Sequence, residues 1–407
     1  MTRDFSWTTL TNGMRLGVLE QPDAPVVTMN LVFRAGCAYE QEDQQGYAHL
    51  LEHMLLKGTK ARPSSMAIGK EIDRIGALVT ANTGATHLTF VMQGARDDLP
   101  LILNIVRDDV TDSLIDPAVL ENEKKVIGEE FARSQANTYR MFYDAAVAVL
   151  FSRHPSVLNS LGNLEAIGRA SREDLIAYWR CMIVPQNATL LIVGGISADE
   201  ARAQVEDTFK VWPASGAFAL PKLPPITVSG SGSSISVNGQ MPFWMVAYPS
   251  LEKPSREEFV ALEFLRHRLN VGYSSLLHNE LRTKRGLAYE INAYHEIFGN
   301  AFCFFIDGPS QHPEEAASAA QNVIKELAVQ IPHEDVAWLA SQFKGLTSRA
   351  LAEHPGTLTK MQKLMKFFDE PPAFSELLAI AEQMDTEMLM RTYQKFLSGE
   401  GRVFIKK

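Results

Sequence analysis

The first half of the chain alternates between short β-branched runs and longer helix-forming runs, with turn residues between them. Val26–Phe33 (VVTMNLVF) predicts a buried strand. Asn12-Gly13 predicts a tight hairpin turn between two short strands. The run from Leu78 to Gln93 predicts one continuous strand, and Ala188–Val193 predicts another. Amphipathic runs predict helices at Tyr47–Leu56, Met66–Ile75, Asp98–Thr111, Pro117–Gln135, Ser171–Trp179 and Ala198–Phe209.

The composition changes between residues 213 and 234, where proline, glycine and serine dominate. Such a segment predicts a linker. It separates an N-terminal domain, 1–212, from a C-terminal domain, 235–407. The 407 residues also exceed what a single hydrophobic core usually supports.

The second half repeats the plan of the first, beginning with a strand at Phe243–Ala247. The later elements are predicted in the same order: helices Phe259–Leu269 and Ser274–Arg282, strands Ala288–Tyr294 and Asn300–Ile306, and a helix starting at Pro332. The expected fold class is α+β, with two similar domains that each pack a mostly antiparallel sheet with helices.

Charge and cysteine content restrict the possible partners. The chain carries 39 Lys and Arg against 48 Asp and Glu, a net charge of −9, which argues against nucleic acid binding. Cys37, Cys181 and Cys303 are far apart and odd in number, which is typical of reduced thiols in the cytoplasm. No apolar leader is visible at the start, and no apolar run approaches the ~20 residues of a membrane helix. We therefore expect a cytoplasmic protein with no membrane partner.

The stretch Tyr47–Leu56 (YAHLLEHMLL) contains the most specific chemistry in the chain. In a helix, His49 and His53 lie one turn apart on one face, and Glu52 shares that face. Two neutral imidazoles so placed can bind one Zn²⁺, and a carboxylate beside them can accept a proton from a metal-bound water. A chance grouping on an amphipathic helix is the alternative. However, burying these polar groups beside an apolar stripe is costly unless something satisfies them.

A catalytic zinc usually has three protein ligands, so a third must come from elsewhere. The predicted helix from Pro117 carries four glutamates. Glu123 and Glu130 share a face, and Glu129 points about 100° away from Glu130. A solvated acidic face would explain these carboxylates equally well, so the residues alone leave the third ligand open. The four glutamates of this helix are Glu121, Glu123, Glu129 and Glu130.

The helix predicted at Phe259–Leu269 occupies the corresponding place in the second half of the chain. Glu263 stands where His49 stands in the first half, and Arg266 stands where Glu52 stands. A glutamate and an arginine cannot reproduce the ligand and base set. The second domain is therefore expected to bind no zinc.

The motif His-x-x-Glu-His and the segment Glu121–Glu130 (ENEKKVIGEE) together resemble the pitrilysin/insulinase family of zinc peptidases, the inverzincins. The chain is most similar to their short two-domain branch, which includes the mitochondrial processing peptidase and small bacterial relatives. The resemblance implies one Zn²⁺ per chain, held by His49, His53 and Glu130. It also implies that Glu123 orients the site, with Glu129 the alternative to Glu130.

Two further segments carry the resemblance. Leu281–Tyr289 (LRTKRGLAY) resembles a family segment whose Arg and Tyr contact substrate, which implies these roles for Arg282 and Tyr289. Without the zinc motif, a buried core tyrosine would be the simpler interpretation. Gly76–Thr83 resembles the family's edge strand, although Thr80 stands where asparagine is usual. A peptide backbone can pair with this strand without that side chain. The implied substrate-binding positions are Val79, Thr80, Ala81, Asn82 and Thr83.

The resemblance implies a zinc-dependent metalloendopeptidase in which Glu52 activates the zinc-bound water. Peptides or unfolded segments would be hydrolysed in a closed chamber formed by two chains. A homodimer is expected, because the metal motif and the Arg282/Tyr289 element occur in one chain, and a heterodimer with a related subunit is the alternative. Two other functions compete with this one: a non-catalytic scaffold subunit of the same fold, and a peptide-binding protein with a structural metal.

Overall fold

Residues 3–229, 232–327, 329 and 333–407 are described by the computed structural model, and they form two units. The first unit comprises Arg3–Ala132 and Leu158–Leu223. The second comprises Arg133–Val157 and Pro224–Lys407. The chain therefore enters the second unit twice: first for Arg133–Val157, and again from Pro224 to its end, within the Pro/Gly/Ser-rich segment.

A six-stranded sheet forms the centre of the first unit, in the order β1-β2-β6-β3-β5-β4. β2 and β6 are parallel, and every other neighbouring pair is antiparallel. The strands are β1 (Ser6–Thr9), β2 (Arg15–Glu20), β3 (Val26–Phe33), β4 (Leu78–Thr83), β5 (Leu88–Ala95) and β6 (Ala188–Gly194). β4 is an edge strand, so one side of its backbone is open to further pairing.

Helices cover this sheet with their apolar faces. Ser64 caps α2 by accepting from the Ala67 N–H, and Ser171 and Asp174 form a capping box at α7. The helices that begin in this unit are α1 (Tyr47–Met54), α2 (Ser65–Arg74), α3 (Leu99–Asp112), α4 (Pro117–Ala136), α6 (Leu164–Arg169), α7 (Arg172–Met182) and α8 (Ala198–Phe209). The core contains the apolar side chains of β3 and of α1, among them Leu31, Phe33 and Leu50.

The second unit is built on an antiparallel four-stranded sheet in the order β10-β7-β9-β8. Its strands are β7 (Phe243–Ser250), β8 (Asn292–Phe298), β9 (Ala301–Pro309) and β10 (Arg402–Lys406). This order corresponds to β6-β3-β5-β4 of the first sheet. Strands β7 and β9 take the central positions that β3 and β5 take in the first sheet, and all neighbours are antiparallel in both.

The helices of the second unit include one from the first half of the sequence. α5 (Thr138–Leu150) packs here, with Phe142 stacked on Phe243 at 5.9 Å between ring centroids. The others are α9 (Arg256–Asn270), a π-helix (His278–Lys284), α10 (Pro313–Leu327), α11 (His333–Ala352), α12 (His354–Phe367), α13 (Phe374–Glu382) and α14 (Thr386–Phe396). The predicted α+β class, with two sheets packed by helices, is confirmed.

Three local predictions were wrong and one cannot be compared. Leu78–Gln93 is a hairpin rather than one strand, because Gly84 N–H donates to the His87 carbonyl at 2.8 Å and reverses the chain. Strand β8 begins at Asn292, four residues later than expected. The helix predicted at 274–282 is largely a π-helix that starts at His278. The predicted helix start at Pro332 lies outside the described residues.

Across the described ranges, we find no helix with the length and apolar character needed to span a bilayer.

Candidate metal centre

Helix α1 places two imidazoles on one face. Its apolar residues Leu50, Leu51 and Met54 are buried in the core, which fixes the rotation of the helix about its axis. His49 and His53 consequently point together toward α4, with their ring centroids 4.7 Å apart. The hydrophobic pattern of the helix therefore determines where its polar groups converge.

Glu130 on α4 completes a cluster with the two histidines. The Oε2 atom of Glu130 lies 3.5 Å from His49 Nε2 and 3.4 Å from His53 Nε2. All three ligand atoms lie within 4.8 Å of one another. Two ligands of one tetrahedral Zn²⁺, each at about 2.0–2.1 Å, lie about 3.3–3.4 Å apart. The observed separations fit that geometry.

A second glutamate of α4 fixes the tautomer of His53. Glu123 is buried, and its Oε2 lies 3.1 Å from His53 Nδ1. Because a carboxylate can only accept, Nδ1 carries the proton and Nε2 keeps its lone pair for a metal. Lys57 donates to the other oxygen of Glu123 at 2.6 Å, which fixes the position of that carboxylate.

His49 is held in the neutral form that a metal ligand requires. Burial lowers the pKa of His49 to about 4, and the neighbouring His53 acts in the same direction. Glu130 and the backbone of Leu161 oppose the shift without reversing it. At neutral pH the imidazole is therefore unprotonated and able to coordinate.

Glu52 lies one turn after His49 and is held by the sheet. Thr83, at the end of β4, donates its hydroxyl to Glu52 Oε2 at 2.5 Å. Burial raises the pKa of Glu52, as does the charge of Glu130, while Thr83 and His53 act to lower it. A carboxyl group with a raised pKa is better suited to accept and return a proton than an ordinary surface glutamate.

The other predicted residues fall into three places. Glu129 is exposed and lies outside the cluster of ligand atoms. Val79–Thr83 belong to the edge strand β4. Arg282 and Tyr289 lie in the second unit, where the guanidinium carbon is 4.2 Å from the Tyr289 ring centroid. The Tyr289 side chain is 81% exposed, so it is not the buried core residue of the alternative interpretation.

The corresponding helix of the second unit, α9, carries Glu263 and Arg266, which form an ion cluster with side chains of β8 and α12. Glu263 accepts from Arg266 at 2.6 Å, from His295 at 2.8 Å and from Lys363 at 2.8 Å. Burial opposes ionisation, but Lys363 and Arg266 outweigh it and hold the pKa of Glu263 well below its usual value. These two cations supply the positive charge that neutralises Glu263.

Sequence reasoning missed the supports of the site. The Thr83 bond to Glu52 and the Lys57 bond to Glu123 both join residues that are far apart in sequence. Lys57 lies three residues after the end of α1, and Thr83 was considered only as part of the substrate-binding strand. No local pattern distinguishes either residue from an ordinary surface lysine or strand threonine.

Two family models match the chain. The model of the family described as "Insulinase (Peptidase family M16)" matches residues 17–158, a range that contains the whole cluster. The model described as "Peptidase M16 inactive domain" matches residues 169–343. Together the two matches span most of the chain.

Individual relatives have low sequence identity to the chain but match more than half of its length. An "Uncharacterized zinc protease" of Rickettsia bellii is 25% identical over 346 residues, covering 84% of this chain and 83% of its own. The "Mitochondrial-processing peptidase subunit beta" of Bos taurus is 30% identical over 224 residues, covering 55% of this chain and 45% of that protein. The "Cytochrome b-c1 complex subunit 1, mitochondrial" of Rattus norvegicus is 29% identical over 223 residues, covering 54% and 46%.

A solved structure gives the same fold. The crystal structure of a protease from Helicobacter pylori has a TM-score of 0.87, with 17% identity and full coverage of both chains. At this identity the likeness concerns the fold alone.

Proposed function

The chain belongs to the insulinase family of peptidases (peptidase family M16), and on this premise we propose that it is a zinc-dependent metalloendopeptidase. The observation that carries the proposal is the convergence of three ligand atoms at separations suited to one tetrahedral ion. The zinc proteases among its relatives support the choice of metal. His49, His53 and Glu130 would hold one Zn²⁺ per chain.

The residues around that ion would have two roles, proton transfer and positioning. When bound, zinc supplies a Lewis acid that polarises the peptide carbonyl and makes water a better nucleophile. Glu52 accepts the proton of the attacking water and returns it to the leaving amine. Thr83 keeps the Glu52 carboxylate in one orientation, and Glu123 keeps the His53 ring in one tautomer.

The substrate would be an extended peptide or an unfolded segment. The free edge of β4 can pair with a peptide backbone, as an added strand would. Arg282 and Tyr289 offer a guanidinium and a phenol, which suit a peptide carbonyl and a developing oxyanion. We propose that a second chain contributes one of these two elements, in a homodimer or in a pair with a related subunit. Relatives named as subunits of larger assemblies are compatible with this.

A non-catalytic subunit of the same fold is the second candidate, since one relative is named as a subunit of the cytochrome b-c1 complex. Profiling the cleavage of a peptide library by mass spectrometry, with metal analysis of the same preparation, separates the two functions. The peptidase proposal predicts about one zinc per chain, cleavage that a chelator abolishes, and recovery on adding zinc. A zinc-free preparation that cleaves nothing even after zinc is added would favour the scaffold.

A further inference from the structure

The helix that carries both histidines is short and begins without a side-chain cap of its own. α1 has 8 residues, and its N-cap position is Gly46, which has no side chain to accept a hydrogen bond. A helix this short is not stable by itself, and its first N–H groups need outside acceptors. His49 lies in this first turn, so fraying would move a metal ligand.

Glu40 supplies the missing acceptor from the preceding loop. Its Oε2 accepts from the Gly46 N–H at 2.7 Å, and its Oε1 accepts from the Ala48 N–H at 2.6 Å. Both carboxylate oxygens are therefore used, and the second bond ends at the residue next to His49. Burial raises the pKa of Glu40 to about 7, and the two backbone N–H groups act in the opposite direction by favouring the ionised carboxylate.

Residues 162–167 pack against the start of α1. Gly46 has φ 108°, and an added Cβ there would lie 2.6 Å from Ile167 Cδ1. A Cβ on Gly162 would lie 2.2 Å from Gly46 Cα. Asn163 N–H also donates to the Gln45 carbonyl at 3.0 Å. The chain entering α1 is thus confined by contacts with residues 162–167 and is hydrogen-bonded to Glu40.

We propose that Glu40 is a positioning residue for the metal centre: its two bonds hold the first turn of α1 so that His49 stays aligned with His53 and Glu130. The proposal rests on the zinc function above. Glu40 does not contact the ligand atoms. It acts through the backbone at Gly46 and Ala48, so its removal should displace His49 from the other two ligands.

The test compares E40Q with E42Q. E40Q keeps the size of the side chain but replaces one acceptor oxygen with an amide donor. Glu42 is exposed in the same loop and serves as the matched control. Zinc affinity is measured by competition with a chelator of known affinity, the melting temperature is measured on the zinc-free protein, and the Co²⁺-substituted forms are compared by absorption spectroscopy.

We expect E40Q to bind zinc about 10- to 100-fold more weakly, as is usual when a group that supports a ligand is lost. Its Co²⁺ spectrum should differ from that of the wild type, and E42Q should match the wild type in both readouts. If E40Q lowers the melting temperature but binds zinc within twofold of the wild type, Glu40 is only a stabilising residue and the inference is wrong. If E40Q does not fold, E40D takes its place, because the shorter side chain keeps a carboxyl group but cannot reach both N–H groups. A wild-type protein that binds no zinc would instead refute the proposed function.

Discussion

Removing the charge of Glu263 should destabilise the second unit strongly. The buried carboxylate accepts hydrogen bonds from the Arg266 guanidinium, the His295 imidazole and the Lys363 ammonium group. Glu263→Gln would leave Arg266 and Lys363 close together without their counter-charge. Breaking a buried ion pair by removing one partner typically costs about 3–5 kcal/mol. Because the side chains of Arg266 and Lys363 remain 23% and 34% exposed, water can compensate in part, and we expect the lower end, about 3 kcal/mol.

Differential scanning calorimetry of the zinc-free protein measures this effect. For a unit of this size, about 3 kcal/mol corresponds to a melting temperature lowered by roughly 6–12 °C. Glu280→Gln is the control, because Glu280 pairs with Lys284 and Arg285 at the surface, where such pairs contribute at most about 1 kcal/mol. Equal small shifts in both variants would show that the cluster does not carry the stability assigned to it.

Three further predictions concern the metal centre and the buried histidine of the second unit. Glu123→Ala should weaken zinc binding about 10- to 100-fold in chelator competition, because the His53 tautomer is no longer fixed; unchanged affinity would exclude this role. Metal analysis should find zinc lost in Glu130→Ala and kept in Glu129→Ala, and the reverse result would exchange the two assignments. Burial and Lys363 lower the pKa of His295 from 6.5 to about 4. Its contribution to stability should therefore be complete above pH 6.5 and fall by about 3 kcal/mol as the pH drops to 4. Denaturant titrations across that range check this, and His295→Gln should reduce the loss of stability by this amount.

Local periodicity was enough to predict the metal helix. His49, Glu52 and His53 depend on spacing within one turn, and their polar face is set by the apolar stripe of the same helix. The strand β3 was also predictable, because its β-branched residues are continuous and end at a clear break. Both elements, whose patterns lie within about ten consecutive residues, were therefore predicted correctly.

Features that depend on tertiary packing were not predictable from the residues alone. The rotation of α4, which brings Glu130 toward the histidines and leaves Glu129 exposed, follows from how that helix packs. The turn after Thr83 was missed although Gly84 is a turn signal, because the reversal depends on pairing between β4 and β5. The Glu40 bonds to α1 join a loop to a helix, and a glutamate before a helix carries no specific signal.

The Glu52→Gln variant tests the central claim most directly. The amide keeps the size of the side chain and a hydrogen-bond acceptor for Thr83 but cannot accept the proton of the attacking water. Zinc content and hydrolysis of an unfolded peptide are measured on the same preparation of the wild type and the variant. We predict that the variant binds zinc as the wild type does and loses peptide hydrolysis by several orders of magnitude. Hydrolysis at the wild-type rate by a fully zinc-loaded variant would contradict the assignment of Glu52.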